Sequence, residues 1–345
     1  MTEENATYKA AGVDIEAGEE AVFRLKEHVR STYTPNVLTD VGSFGGMFRF
    51  DGSGMKEPVL VSSIDSVGTK VKIATMMGKY DTVGMDMVNH SCNDILVQGA
   101  RPLFFLDYFA TSKLYPEMAA DVVKGMAEAC RAAGCALVGG EICEMPGVYC
   151  EDEFDVAGCI VGVVDREKII DGSKVGPGDV VIGLASSGLH TNGYSLVRKV
   201  LFQDHDYKVD QYLPELDGVL GDVLLAPHRC YAKPVLAVLE EFEVHAMAHL
   251  TGGGFYNNIP RVIPMDCQVT VERRSWGVPP IFLLLQEKGG IDSVEMHRTF
   301  NMGIGMVLIV PKERGLEIVA KLQQDGETAA IIGEVHKGGR EVNVI

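Results

Sequence analysis

The chain has 345 residues, 46% of them hydrophobic and 23% charged, with a formal net charge of −17. This length suggests about two domains of roughly 150 residues each, and the balance is that of a globular protein. An acidic excess with no basic run argues against a nucleic-acid partner, and no apolar run approaches the ~18–20 residues of a membrane span.

The opening residues, MTEENATYKAAG, lack the basic and apolar regions of a signal peptide. The eight cysteines form no C-x-x-C pair and match no zinc spacing. Free thiols in a cytoplasmic enzyme are therefore expected.

An amphipathic helix is predicted near 17–31, followed by a glycine-rich stretch, VGSFGGMFRFDGSG (41–54). Residues 59–64 read as a buried strand that runs into Asp65, Gly68, Thr69 and Lys70. The GTK triplet looks like part of a phosphate-binding P-loop, but that motif needs G-x-x-x-x-G-K-[ST]. Here Thr precedes Lys and the upstream Gly is missing. The stretch is read instead as a strand-end carboxylate, a tight turn over 66–69 and a nearby cation.

A helix over 82–98, a strand over 103–110 and a helix over 116–134 follow, the last closed by Gly134. Strands are predicted at 135–140 and 154–164. The charged, Gly-rich segment 165–179 marks a boundary, giving an N-terminal domain of 1–168 and a C-terminal domain of 169–345. In the second half, a strand at 180–185 leads to a helix start at 192–201, an acidic irregular stretch at 203–226 and a mostly helical 227–242. Strand and helix then alternate to the end. The fold class is α/β (α+β) with two domains.

Asp65 and Glu141 each fall just past a strand, where ligands gather in open α/β sheets. On the helix around 84–97, Met85, Val88, Cys92, Ile95 and Leu96 span an arc of roughly 100°, with Asp86, His90, Asn93 and Asp94 on the other side. That polar side is either a solvated face or a ligand-binding one. It holds no Lys, Arg or Glu, and short Asp and Asn side chains suit a hard cation. Asp65, Asp94 and Glu141 together would make an oxygen-rich Mg²⁺ site completed by phosphates and waters, with Lys70 neutralising a phosphate. The loop 186–192 holds Ser186, Ser187, Gly188, His190, Thr191 and Asn192 and feeds a helix. It suits an anion or a plain N-cap. His190 there is able to hold a phosphate or move protons near neutral pH. The three glycines of HLTGGGF (249–255) imply close backbone approach, positive φ or a plain tight turn.

Long segments in order, among them DSVGTK (65–70), CNDILVQGARPLFFLDYFAT (92–111), GGEICEMPGVY (139–149), SSGLHTNGYSLVRK (186–199) and AHLTGGGFYNNIPRV (248–262), resemble the aminoimidazole ribonucleotide synthetase (phosphoribosylformylglycinamidine cyclo-ligase) family almost end to end. The resemblance implies a ligase of purine biosynthesis that uses ATP and Mg²⁺ to close the imidazole ring of formylglycinamidine ribonucleotide. It implies that Asp65, Asp94 and Glu141 bind Mg²⁺–ATP. Lys70, Gly68, Thr69, Lys26 and the loop with Gly45 and Gly46 would contact the nucleotide. His190 and Asn192 would hold substrate or assist proton transfer, and Thr251–Gly254 would approach the ribose phosphate. It further implies a homodimer built on the N-terminal mixed sheet, with the C-terminal α/β domain contributing to the substrate cleft. Ser66, where the family usually has Gly, raises the question of a special backbone angle. Ile142–Cys143 and the PHRCY segment (227–231) also depart from the family pattern. The alternatives are another phosphoryl-transfer enzyme of the same fold, of thiamine-phosphate kinase or selenophosphate synthetase type, or a non-catalytic nucleotide-binding regulator. The absence of Cys before Cys92 argues against the selenophosphate type.

Overall fold

Alternating apolar residues build the first sheet. The computed structural model describes residues 7–345; the first six residues of the segment read above as lacking a signal peptide lie outside it. In β1 (Pro58–Ser66), Val59, Val61, Ser63 and Asp65 turn inward, while Leu60, Ser62 and Ile64 stay exposed on the other face. β2 (Arg101–Thr111), β3 (Ala136–Glu144) and β4 (Phe154–Asp165) complete a sheet of order β1-β4-β2-β3. Only β2 and β3 pair in parallel, so the sheet is mixed, as expected.

Helix α1 (Ile15–Arg30) starts at Asp14, whose side chain accepts from the N–H groups of Glu16 and Ala17. A short α2 (Val71–Met77), which the sequence did not announce, precedes α3 (Asp81–Leu96) and α4 (Pro116–Ala133). α1, α3 and α4 pack on one another and on the inward face of the sheet. α3 and α4 meet at glycines: a Cβ on Gly125 would overlap the carbonyl of Asp81, and one on Gly84 that of Val122. Backbone cannot swing aside as a side chain can. Gly125→Ala is therefore expected to cost about 1–3 kcal/mol of stability, read as a lower midpoint in urea; an unchanged midpoint would mean the helices separate freely.

The predicted elements shift in two instructive places. Asp65 and Glu141 lie inside β1 and β3, not beyond them. Gly68–Lys70 is a single 3₁₀ turn feeding α2, in place of a tight turn over 66–69. Gly68 takes φ 66°, whereas Ser66 pairs in register with Ala157 as ordinary strand. Position 66 therefore needs no glycine here.

The second half holds β5 (Val180–Ala185), the hairpin β6 (Tyr212–Leu213) and β7 (Gly218–Val219), then β8 (Ala246–His249), β9 (Cys267–Val271), β10 (Ile304–Val310), β11 (Ala329–Lys337) and β12 (Glu341–Val344). Six of these form a sheet of order β12-β9-β11-β5-β10-β8. β10, IGMVLIV, is buried along its whole length, as a central strand covered on both faces must be. The acidic stretch read as irregular carries the β6–β7 hairpin and a short helix, Leu220–Leu224.

Candidate active site

α3 buries both of its sides. Its apolar arc enters the N-terminal core, and of its polar arc Asp86 and Asn93, with Asn89 beside them, dock on residues 227–231 of the C-terminal half, while His90 and Asp94 face a cleft. Asn93 accepts from the Tyr231 N–H at 2.9 Å and donates to the Arg229 carbonyl at 2.8 Å. Asn89 donates to the His228 carbonyl at 2.7 Å, and Asp86 accepts from the His228 N–H at 2.6 Å. These three side chains thus meet backbone across the joint.

Lys70 belongs to the same joint. Its ammonium lies 2.9 and 2.8 Å from the two oxygens of Asp86 and donates to the carbonyls of His190 and Ala226 at 3.0 and 2.8 Å. Both charged side chains are fully buried. Burial pushes the Lys70 pKa down and the Asp86 pKa up, and each charge opposes the shift of the other. An ammonium has three donors, and these partners use them. The phosphate contact expected of Lys70 has no free donor in this arrangement.

Between the halves lies a cleft of about 710 Å³ whose walls include Asp65, Asp94, Asn192, His249, Thr251 and Arg261. Ser63 Oγ reaches Asp65 at 3.1 Å and Asp94 at 3.4 Å, so the two carboxylates face one space. Burial, then the neighbouring Asp94, pushes the Asp65 pKa up to about 6. Burial also works to raise Asp94, but the hydrogen bond with His249 and the close approach of His90 outweigh it and hold its carboxyl below the usual range. For His90 the burial cost is outweighed by Asp94 and Asp65, so its pKa is raised.

His190 does not reach this space. It is fully buried at φ 62°, its ring stacked 3.9 Å from that of His228. Its Nε2 accepts from the N–H groups of Ser187 and Arg229 at 3.2 and 3.4 Å, which places the proton on Nδ1. Burial and neighbouring cationic groups hold its pKa well below the ordinary value. It is a neutral ring that shapes the loop, while its neighbour Asn192 stands at the cleft wall.

Glu141 is the clearest departure from the expected metal trio. Asp65 shares a row across the sheet with Gly158, Asp107 and Gly140; Glu141 falls in the next row, with Tyr108, Ala157 and Ser66. Adjacent residues of a strand point to opposite faces, so Glu141 is exposed on the other side. β1 and β3 are also opposite edges of the sheet, about 14 Å apart at three strand spacings. Within one chain the trio reduces to the pair Asp65 and Asp94. Gly46 packs against Val138 of β3 with Gly45 beside it, and Lys26 sits on α1, which touches β3, 3.7 Å from Asp40. Lys26, Gly45, Gly46 and Glu141 therefore gather near the far edge. Gly68 and Thr69 lie at the junction of the halves, Thr69 Oγ1 being 3.1 Å from Ser195 Oγ.

In the 251–254 turn, Gly253 and Gly254 take φ 97° and 55°, and a Cβ on Gly254 would strike the His297 carbonyl. Asn258 donates to the carbonyls of Thr251, Gly252 and Gly254, fixing the turn. Sequence reasoning passed over Arg261, which among the described residues is the Lys or Arg lining the cleft. It also gave His90 and His249 no role of their own. The spacing of His90 and Asp94, one helical turn apart, was the available signal.

Two family models match the chain: AIR synthase related protein, N-terminal domain, over residues 50–164, and AIR synthase related protein, C-terminal domain, over residues 176–345. Among curated proteins, the phosphoribosylformylglycinamidine cyclo-ligase of Alkaliphilus metalliredigens is 50% identical over 336 residues, 97% of each chain. That of Syntrophotalea carbinolica is 54% identical over 335 residues, covering 97% of this chain and 96% of its own. Among solved structures, hydrogenase maturation protein HypE in complex with ATP has a TM-score of 0.66 at 20% identity, over 95% of this chain and 90% of the other. Thiamine-monophosphate kinase from Stenotrophomonas maltophilia K279a has a TM-score of 0.68 at 14% identity, over 93% and 96%. At such identities these two structures speak for the fold alone.

Proposed function

The chain belongs to the AIR synthase related family, and on that premise we propose that it is the ATP-dependent cyclo-ligase that converts formylglycinamidine ribonucleotide to 5-aminoimidazole ribonucleotide, with release of ADP and phosphate. The observation that carries this reading is the identity of about half the residues, over nearly the whole chain, to cyclo-ligases. An amide carbonyl is a poor electrophile and its oxygen a poor leaving group. Transfer of the γ-phosphoryl group to that oxygen, with ADP departing, makes it a good one. A nitrogen of the same substrate then attacks the activated carbon, phosphate leaves, and a proton is lost as the ring closes. The attack is intramolecular, so a cleft that holds the substrate folded supplies much of the rate.

The donor chemistry of Asp65 and Asp94 fits Mg²⁺, which binds through one or two carboxylates plus nucleotide phosphates. Such an ion would neutralise phosphate charge as the phosphoryl group moves. Around it, Asn192 offers an amide to the substrate, the 251–254 turn lets substrate approach its backbone, and Arg261 offers a cation to a phosphate. We assign His190 to positioning this wall, and we place the domain boundary at 168/169, between the two sheets. A cytoplasmic setting accords with eight free cysteines; among the described residues no helix is long and apolar enough to cross a membrane.

The outer face of the first sheet supports a homodimer. Leu60 and Ile64 are 63% and 73% exposed there, beside Leu106, an apolar patch of the kind that marks an interface. A two-fold pairing of these faces would bury that patch. Ile64→Glu is expected to shift the protein to monomer in sedimentation and to lower turnover; a dimer that persists overturns this interface.

The test of the reaction is a product assay with ATP, Mg²⁺ and formylglycinamidine ribonucleotide. Imidazole and ADP should form together. ADP without imidazole would refute cyclisation and favour a kinase-like phosphoryl transfer, and nucleotide binding with no ADP would favour a regulator.

A further inference from the structure

The cleft contains more nitrogen than a magnesium site uses. We propose that His90, Asp94 and His249 form a binding site for a transition-metal ion of the Zn²⁺ class, with Asp65 as the next nearest donor. One donor atom from each of the three lies within 4.8 Å of the other two. His90 Nε2 stands 3.5 Å from Asp94 Oδ2 and 3.7 Å from Asp65 Oδ1. These separations exceed a hydrogen bond. They approach the ~3.3 Å edge of a tetrahedron with zinc-to-ligand bonds of about 2.0–2.1 Å. On the other carboxylate oxygen, Asp94 Oδ1, His249 Nδ1 makes a 2.7 Å hydrogen bond, which a metal ion would replace as Nδ1 gives up its proton. Two imidazoles from different halves of the protein thus flank one carboxylate.

The outer partners match what metal-bound histidines need. Such a ring has its second nitrogen held by a hydrogen bond, which fixes its tautomer and orientation. His90 Nδ1 is 2.8 Å from Thr191 Oγ1, and His249 Nε2 is 2.9 Å from His228 Nε2. Both rings are nearly buried and both line the cleft, so their remaining nitrogens have a route to solvent ions. Imidazole nitrogen favours Zn²⁺, Co²⁺ or Ni²⁺ over Mg²⁺. The inference rests on this donor set and needs no nucleotide.

The test uses untagged, metal-stripped full-length protein without ATP, titrated with Co²⁺ as a coloured substitute for Zn²⁺. One equivalent should bind and give the intense visible bands of a low-coordinate cobalt site. His90→Ala and His249→Ala should each weaken binding at least tenfold, while His336→Ala, at an exposed position on β11, should not. Zinc X-ray absorption on the unsubstituted protein reads the same point without a variant, and should show outer-shell scattering from two imidazoles. A spectrum like that of free Co²⁺, a His90→Ala protein that binds as tightly as its parent, or zinc without imidazole scattering would each overturn the site. None of these results bears on the product assay, which runs with Mg²⁺ and substrate.

Discussion

Lys70→Met is expected to destabilise the protein by about 3–5 kcal/mol, the cost of breaking a buried ion pair from one side. Methionine fills the same volume, so packing loss is small. What remains is the Asp86 carboxylate, fully buried, with the His228 N–H as partner and its cation gone. The carbonyls of His190 and Ala226 lose their donor as well. Because these contacts tie α3 to the C-terminal half, the loss falls on the joint between the halves. The double replacement Lys70→Met with Asp86→Leu should recover much of the stability, since it removes both charges together. Denaturant unfolding of the three proteins checks this. If Lys70 instead faced a nucleotide phosphate, the single variant would unfold like its parent and lose ATP affinity. That outcome would return Lys70 to the role its sequence suggested.

Asp94→Asn is expected to lower turnover at least tenfold, about 1.4 kcal/mol in the barrier, with the fold intact. Asparagine keeps an oxygen able to accept from His249 Nδ1, now at 2.7 Å, so the wall of the cleft survives. It removes the negative charge that a cation needs and that holds His90 toward its protonated form. Activity near that of the parent, in a protein that melts normally, would sink the assignment of Asp94 to a metal.

The two replacements differ in how far sequence reasoning reached. Asp94 was found from the helical period of α3, which correctly separated an apolar from a polar arc. The period could not say what covers the polar arc. Residues 227–231, more than 130 positions later, do so, and they turn Asp86 and Asn93 from surface groups into buried ones and leave Asn89 half-buried. The partners that Lys70 meets were hidden for the same reason: they sit 16, 120 and 156 positions away. His90 and His249 are 159 positions apart and meet only because β8 ends beside α3.

By itself the sequence determined the two-domain α/β (α+β) class, most strands and helices, and the family. Strand alternation and helical period are local properties, and long motifs in order rarely arise by chance. It also drew attention to Asp65 on β1 and Asp94 on α3, elements separated only by the short α2. Tertiary structure decided which way those side chains face and what they meet. Glu141 shows why. β3 pairs Leu137 with Phe105 but Gly139 with Leu106, leaving Val138 as an extra residue in the ladder. Since a strand changes face at every residue, that one-residue shift sends Glu141 to the opposite side from Asp65. Such a bulge depends on how two distant strands align, and nothing in GGEIC announces it.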